Sequence, residues 1–380
     1  MMSLLSLETP ALILNRDVLE ANAARMTARF QAKGVKLRPH MKTAKSAEVA
    51  RIATKGNFGG IIVSTLREAE YFAEHGITDI TYGVSVMPEK MGRVVGLLKK
   101  GVRLSVILDQ VAVAEAVSAR AMEAGVTVPT YIELDSGEKR AGVLPHSDAL
   151  LELGAAIDRL RGLVLEGVLT HAGQSYSGRS IEAIEAFAET ERLAAVTAAE
   201  RLRAAGHVVP EVSIGSTPTA THGRNFDGIT EVRCGVYMFG DVFQSEIGSM
   251  GLFECAVSVL ATVIGHRPEL NTALIDAGAL ALSKDRSTGA PGLAEDIGFG
   301  LVLDETGTHR IGKVIVGHVY QEHGLLTSDG PFPYDALPVG SRVRVLPNHV
   351  CMTAAMHTGY HVVESGDDTN MAFWPRANGW

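Results

Sequence analysis

Between residues 35 and 232 the chain repeats one pattern eight times: a short β-branched run, then a longer stretch rich in Ala, Leu and Glu. The runs are 35–37, 60–64, 79–82, 104–108, 130–134, 165–169, 211–214 and 231–232; the stretch over 180–205 is a strong helix candidate. Such alternation calls for βα units and a parallel sheet. Eight strands, each but the last followed by a helix, is the count of a (β/α)8 barrel. A further strand is expected near residues 9–14, followed by a helix capped by Asp17 and running to about Phe30.

Past about Met250 helical periodicity largely disappears. Residues 257–264, 272–275, 312–316 and 342–346 are β-branched runs separated by Gly, Pro and Asp, the pattern of a mostly antiparallel β domain. The expected division is a barrel over 15–250 and a β domain over 251–380, with the N-terminal strand, 1–14, joining the second. The net charge of −8 argues against a nucleic-acid surface. No apolar run reaches the ~18 residues of a membrane span. Residues 1–7 lack a basic stretch before their apolar residues, so a secretory signal is not expected. Three widely spaced cysteines, Cys234, Cys255 and Cys351, are no disulfide framework and suit a reducing cytoplasm.

Polar residues then fall at the carboxyl ends of the predicted barrel strands, the rim that carries chemistry in this architecture. After the first come Arg38-Pro39-His40-Met41-Lys42-Thr43-Ala44-Lys45. Pro39 has no N–H for a ladder and should end the strand, leaving His40 and Lys42 just beyond it. A lysine there, with Arg38 and Lys45 favouring its neutral form, suits Schiff-base chemistry; taken alone, the segment also reads as a solvated basic turn. The fifth strand is followed by Asp135 to Arg140, the sixth by Thr170-His171-Ala172-Gly173-Gln174-Ser175-Tyr176, the seventh by Gly215-Ser216-Thr217-Pro218-Thr219, and the eighth by Arg233-Cys234-Gly235-Val236-Tyr237. A Gly-Ser-Thr turn is most often a plain loop, but loops after strands seven and eight recur as phosphate sites in these barrels. A lysine after strand one and a phosphate cradle after seven and eight would be neighbours on a closed rim. Pyridoxal 5'-phosphate, a phosphorylated aldehyde, fits both.

In the β domain, Pro347-Asn348-His349-Val350-Cys351-Met352-Thr353 places His349 and Cys351 at i and i+2, on one face if the chain is extended. Imidazole and thiolate suit zinc or another borderline-soft divalent ion, and two ligands leave positions open for a Lewis-acid role. A buried cysteine beside an unrelated histidine is the plainer alternative. Gln321-Glu322-His323-Gly324 is a polar turn assigned to the same cleft, so Gln321 and His323 join His40 as substrate-side candidates. Asp276 and Ser283-Lys284-Asp285-Arg286 read as ordinary turn and surface residues.

Taken in order, these segments make the chain resemble the D-serine dehydratase and D-threonine aldolase family of fold-type III pyridoxal-phosphate enzymes, distantly related to alanine racemase. The resemblance covers nearly the whole chain. It implies a homodimer with active sites near the interface, a small D-amino acid as substrate, and Lys42 as the Schiff-base lysine, with Lys45 only flanking it. It implies His349 and Cys351 as metal ligands, with zinc favoured and manganese, cobalt or nickel as substitutes. Gly215, Ser216, Thr217 and Tyr237 match cofactor-phosphate positions, Arg140 a neighbour of the phenolic oxygen, and His171 and Tyr176 positions beside the pyridine ring. No arginine is placed against the ring nitrogen. His-Val-Cys-Met-Thr and Thr-His-Ala-Gly look like dehydratases acting on D-serine or D-threo-3-hydroxyaspartate, the latter type more so at 215–220 and 231–237, rather than like the aldolases. The implied reaction is dehydration of a D-3-hydroxy amino acid to a 2-oxo acid and ammonia. Retro-aldol cleavage to glycine and an aldehyde, and a pyridoxal-phosphate carrier without turnover, are the alternatives; racemisation is a further one, which needs a second base on the opposite face that the sequence does not reveal.

Overall fold

The computed structural model describes residues 4–364 and 367–380, so residues 1–3 of the N-terminal stretch lie outside it. By internal contacts the chain divides into two units, Met1–Ala24 with Val236–Asn378, and Arg25–Gly235 with Gly379–Trp380.

The second unit is built on eight parallel strands: β2 (Lys36–Pro39), β3 (Ile61–Val63), β4 (Asp79–Ser85), β5 (Arg103–Leu108), β6 (Val128–Leu134), β7 (Leu163–Thr170), β8 (Glu211–Ile214) and β9 (Glu231–Cys234). Their order runs β2-β9-β8-β7-β6-β5-β4-β3, and a parallel bridge from His40 to Ile62 closes β2 onto β3. The result is a (β/α)8 barrel. All eight strands expected from the alternating pattern are present, because strands buried on both faces read as continuous β-branched runs. Ile62, Ile107, Tyr131 and Leu169 form one buried apolar cluster of the barrel. Beside it runs a buried polar chain. Arg38 donates from Nε to Glu231 at 2.7 Å and from a terminal nitrogen to Asp79 at 2.7 Å; Ser213 Oγ donates to Glu231 at 2.7 Å and accepts from Arg233 at 2.6 Å.

The first unit opens with β1 (Ala11–Asn15) and continues after the barrel with β10 (Val257–Arg267), β11 (Thr272–Ile275), β12 (Gly300–Leu303), β13 (Arg310–Val319), β14 (Gly324–Ser328), β15 (Arg342–Pro347), β16 (Gly359–Glu364) and β17 (Asp367–Pro375). One nine-stranded sheet takes them in the order β11-β14-β13-β12-β15-β10-β1-β16-β17, and a further β11–β10 pairing closes six of them into an antiparallel barrel. β1 lies inside this sheet, antiparallel to β10 and parallel to β16. Leu4, Leu7, Ala11 and Ile13 pack with Leu260, Val363 and Met371 beneath it.

Two local expectations are corrected. The first long helix spans Arg16–Gln31, and Asn15 rather than Asp17 caps it, its Oδ1 accepting from Val18 N at 3.2 Å. His349 and Cys351 do not lie on an extended chain. Pro347 ends β15, and Val350–Ala354 is a short helix with His349 at its N-cap.

Candidate functional site

Lys42 stands just past β2, in the turn that Pro39 forces, and its side chain is exposed. The Lys42 N–H donates to His40 Nδ1 at 3.3 Å, and the His40 ring also hydrogen-bonds the Ile62 carbonyl. His40 therefore braces the Lys42 backbone rather than reaching outward. Burial, then the nearby charges of Lys42 and Arg233, holds its pKa well below the ordinary value, so it is neutral.

Opposite strand ends supply the rest. His171 follows β7. Its Nδ1 lies 2.8 Å from the Gly215 carbonyl, which can only accept, so Nδ1 carries the hydrogen and Nε2 remains an acceptor. Burial, with the positive charges of Lys42, Arg140 and Arg233, pushes His171 down to about 3. The Tyr176 ring lies 6.4 Å from that of His171, centroid to centroid. Arg140 is exposed and pairs with Glu138 at 3.2 Å.

The loop after β8 is tightly wired. Gly215 has a φ of +142°, and a Cβ there would lie 2.0 Å from the Arg233 carbonyl oxygen, so only glycine fits. Its N–H donates to Glu191 at 2.9 Å, and Ser216 N–H to Thr219 Oγ1 at 3.1 Å. These two amides are committed within the protein. An anion in this loop would be met by hydroxyls rather than by them. Ser216 Oγ lies 2.8 Å from Ser175 Oγ, which links this loop to the one after β7. Ser216 and Thr217 are buried, as is Tyr237 in the other unit. The Lys42 amine and the cations Arg140 and Arg233 bias the rim positively, beside two histidines held neutral. That set fits a phosphorylated aldehyde.

In the first unit, His349 Nδ1 lies 2.8 Å from Asp285 Oδ2, and Cys351 is within hydrogen-bonding reach of the same imidazole. Burial opposes charging of His349. The hydrogen bonds to Asp285 and Cys351 outweigh it and raise the pKa to about 11, while Asp285 is drawn down to about 2, first by His349. A divalent ion would take the place of a proton on this pair. Asp285 on Nδ1 leaves Nε2 for an ion, so the donor set fits a metal with open positions. Among the described residues no three His, Cys, Asp or Glu side chains gather closely enough to make a closed cage. Gln321 and His323 are exposed on the turn between β13 and β14, with Gln321 Nε2 3.4 Å from Glu322.

Three residues at these places escape sequence reading. Asp285 sits in a loop 64 residues from His349. Glu191 lies mid-helix with the look of a surface charge, yet is fully buried. Arg233, read only as part of a loop, lies within β9 as a buried guanidinium that also donates to the Thr170 carbonyl at 2.6 Å. Tertiary contact alone reveals all three.

A family model for the N-terminal domain of alanine racemase matches residues 14–242, and one for a serine dehydratase domain matches 256–363. The chain belongs to the alanine racemase-like D-serine dehydratase family. Among its relatives, D-threo-3-hydroxyaspartate dehydratase of Delftia sp. (strain HT23) is 43% identical, over 100% of this chain and 99% of that one. D-serine dehydratase of Dictyostelium discoideum is 31% identical over 97% of each chain, and D-threonine aldolase of Arthrobacter sp 29% identical over 94% and 90%. The solved structure of the Delftia enzyme superposes with a TM-score of 0.96 at 42% identity, covering 100% of both chains. A cysteine-to-alanine variant of a D-threo-3-hydroxyaspartate dehydratase, solved in a metal-free form, gives the same TM-score of 0.96 and identity of 42%, again covering 100% of both chains.

Proposed function

We propose that this protein is a lyase, dependent on pyridoxal 5'-phosphate and a divalent metal, that dehydrates a D-3-hydroxy amino acid of the D-serine or D-threo-3-hydroxyaspartate type to a 2-oxo acid and ammonia. The observation that carries this reading is the His349–Cys351 pair, with Asp285 fixed on the imidazole. A racemase or a cofactor carrier has no use for such a pair, whereas a hydroxyl leaving group needs charge stabilised as it departs. The Delftia relative, similar along its full length, is a dehydratase by name.

Lys42 would hold the cofactor covalently, Ser216, Thr217 and Tyr237 would take its phosphate with Gly215 shaping the turn, and Arg140, His171 and Tyr176 would flank its ring. His349 and Cys351 would hold the ion. When bound, the cofactor supplies an aldehyde for the substrate amine and an electron sink for its α-carbon, and the ion supplies Lewis acidity. The chain's own part is proton handling and placement. Once the substrate amine has replaced it on the aldehyde, the freed Lys42 Nζ would take the α-proton on the face it occupies. His171, neutral, offers Nε2 as an acceptor without adding a cation.

The test is product analysis. Purified protein given pyridoxal phosphate and zinc is incubated with D-serine, D-threo-3-hydroxyaspartate and D-threonine, and every product is identified. Ammonia with a 2-oxo acid is the expected outcome, lost in His349→Ala, which also loses its metal by elemental analysis while keeping the cofactor's absorbance. Glycine with an aldehyde would make the protein an aldolase instead. No consumption of any of them would leave a carrier.

A further inference from the structure

We infer that Glu191 is a positioning residue that sets both the place and the tautomer of His171 and aligns the loop after β8 with it; the cofactor part of this inference rests on the function proposed above. Glu191 lies on the helix Ile181–Ala204, outside the rim, and its side chain is fully buried. One oxygen, Oε1, accepts two backbone N–H groups, from Ala172 at 2.9 Å and from Gly215 at 2.9 Å. Those residues belong to different loops, after β7 and after β8. The carboxylate thus pins the two loops at a single atom. The Thr219 hydroxyl is also within its reach.

Ala172 directly follows His171, and Gly215 carries the carbonyl that His171 Nδ1 bonds at 2.8 Å. Glu191, Gly215, His171 and Ala172 therefore close a ring of contacts in which each polar group has one role. Gly215 gives its N–H to Glu191 and its carbonyl to the imidazole. With that carbonyl held, hydrogen on Nδ1 is the favoured tautomer, and Nε2 points its lone pair elsewhere. A buried carboxylate beside an anion-binding loop is costly unless it is engaged. Burial raises the Glu191 pKa, and its hydrogen bonds to Thr219, Gly215 and Ala172 oppose that rise. The geometry gives that cost a purpose: no neutral apolar side chain could gather both amides.

The experiment follows His171 directly. Protein with 15N-labelled histidine, assigned by a His171→Gln variant, reports which ring nitrogen carries hydrogen, and pyridoxal phosphate titration reports cofactor affinity. Wild type should show hydrogen on Nδ1. Glu191→Leu should lose that signature and bind cofactor about tenfold more weakly, as for outer-shell partners elsewhere. Glu191→Gln, whose carbonyl can still accept from both amides, should restore both readouts. If Glu191→Leu does not fold, Glu191→Asp, one carbon too short to reach both amides, should show the same two losses. Hydrogen on Nε2 in wild type, unchanged readouts in the Leu or Asp variant, or failure of Gln to rescue would each overturn the inference. If wild type takes up no cofactor but His171 behaves as stated, the functional proposal fails and the positioning role stands.

Discussion

Lys42 and Lys45 show how much separates two lysines three positions apart. Lys45 sits in a left-handed turn with a φ of 48°, and its Nζ lies 3.3 Å from the buried carboxylate of Glu68. It is a paired cation. Lys42 is exposed beside neutral histidines. Lys42→Ala should therefore abolish both turnover and the absorbance of bound cofactor, whereas Lys45→Ala should keep that absorbance and lose stability. Absorbance spectra after reconstitution with pyridoxal phosphate distinguish the two, and a Lys42→Ala protein that still showed bound-cofactor absorbance would move the attachment point. At this scale the places of Lys42, His40, His171 and the His-x-Cys pair just past strands are legible in the sequence. Asp285 and Glu191 are not, because a carboxylate in a loop or on a helix carries no local sign of the partner it will meet.

At the scale of elements the barrel strands were legible because burial on both faces writes itself as apolar runs. β12, β14, β16 and β17 were missed. β12 and β14 are short and open on Gly, and β17 carries Asp, Asn and Trp. The short helix after β15 was missed for another reason: five residues are too few to show a helical period. Capping was misjudged by two residues, as Asn15 and Asp17 are equally good candidates by type. The loop after β8 yields the element-scale prediction. Gly215→Ala places a methyl into the Arg233 carbonyl at a backbone angle that L-residues avoid. It should cost at least about 2 kcal/mol in urea unfolding, and cofactor uptake should fall with it. An unchanged midpoint would mean that the loop is slack.

For the molecule as a whole, the half-buried neutral histidines set an acid response. The folded pKa of His171, about 3, lies below the ordinary 6.5, and that of His40 is also lowered well below it. Between those values the unfolded chain binds a proton that the folded chain refuses, so stability declines as pH drops below about 6.5, by up to about 1.4 kcal/mol per pH unit for each histidine. Glu231, held below the ordinary carboxylate range against its own burial by Arg38, adds a second decline once pH falls through that range. Denaturation midpoints measured from pH 7 to pH 5 should fall steadily in wild type, and less steeply in His171→Gln. A flat profile would show that these imidazoles titrate freely in the folded protein.

β1 carries a last consequence. It precedes the whole (β/α)8 barrel in the chain, yet its two neighbours in the sheet, β10 and β16, begin only at Val257 and Gly359. Until those residues are made, Leu12, Ile13 and Leu14 have no sheet to join, and an entire (β/α)8 barrel is made in the meantime. Removing the first fifteen residues would thus not trim a tail but pull a plank from the middle of a floor. A fusion partner at that end is best given a generous spacer.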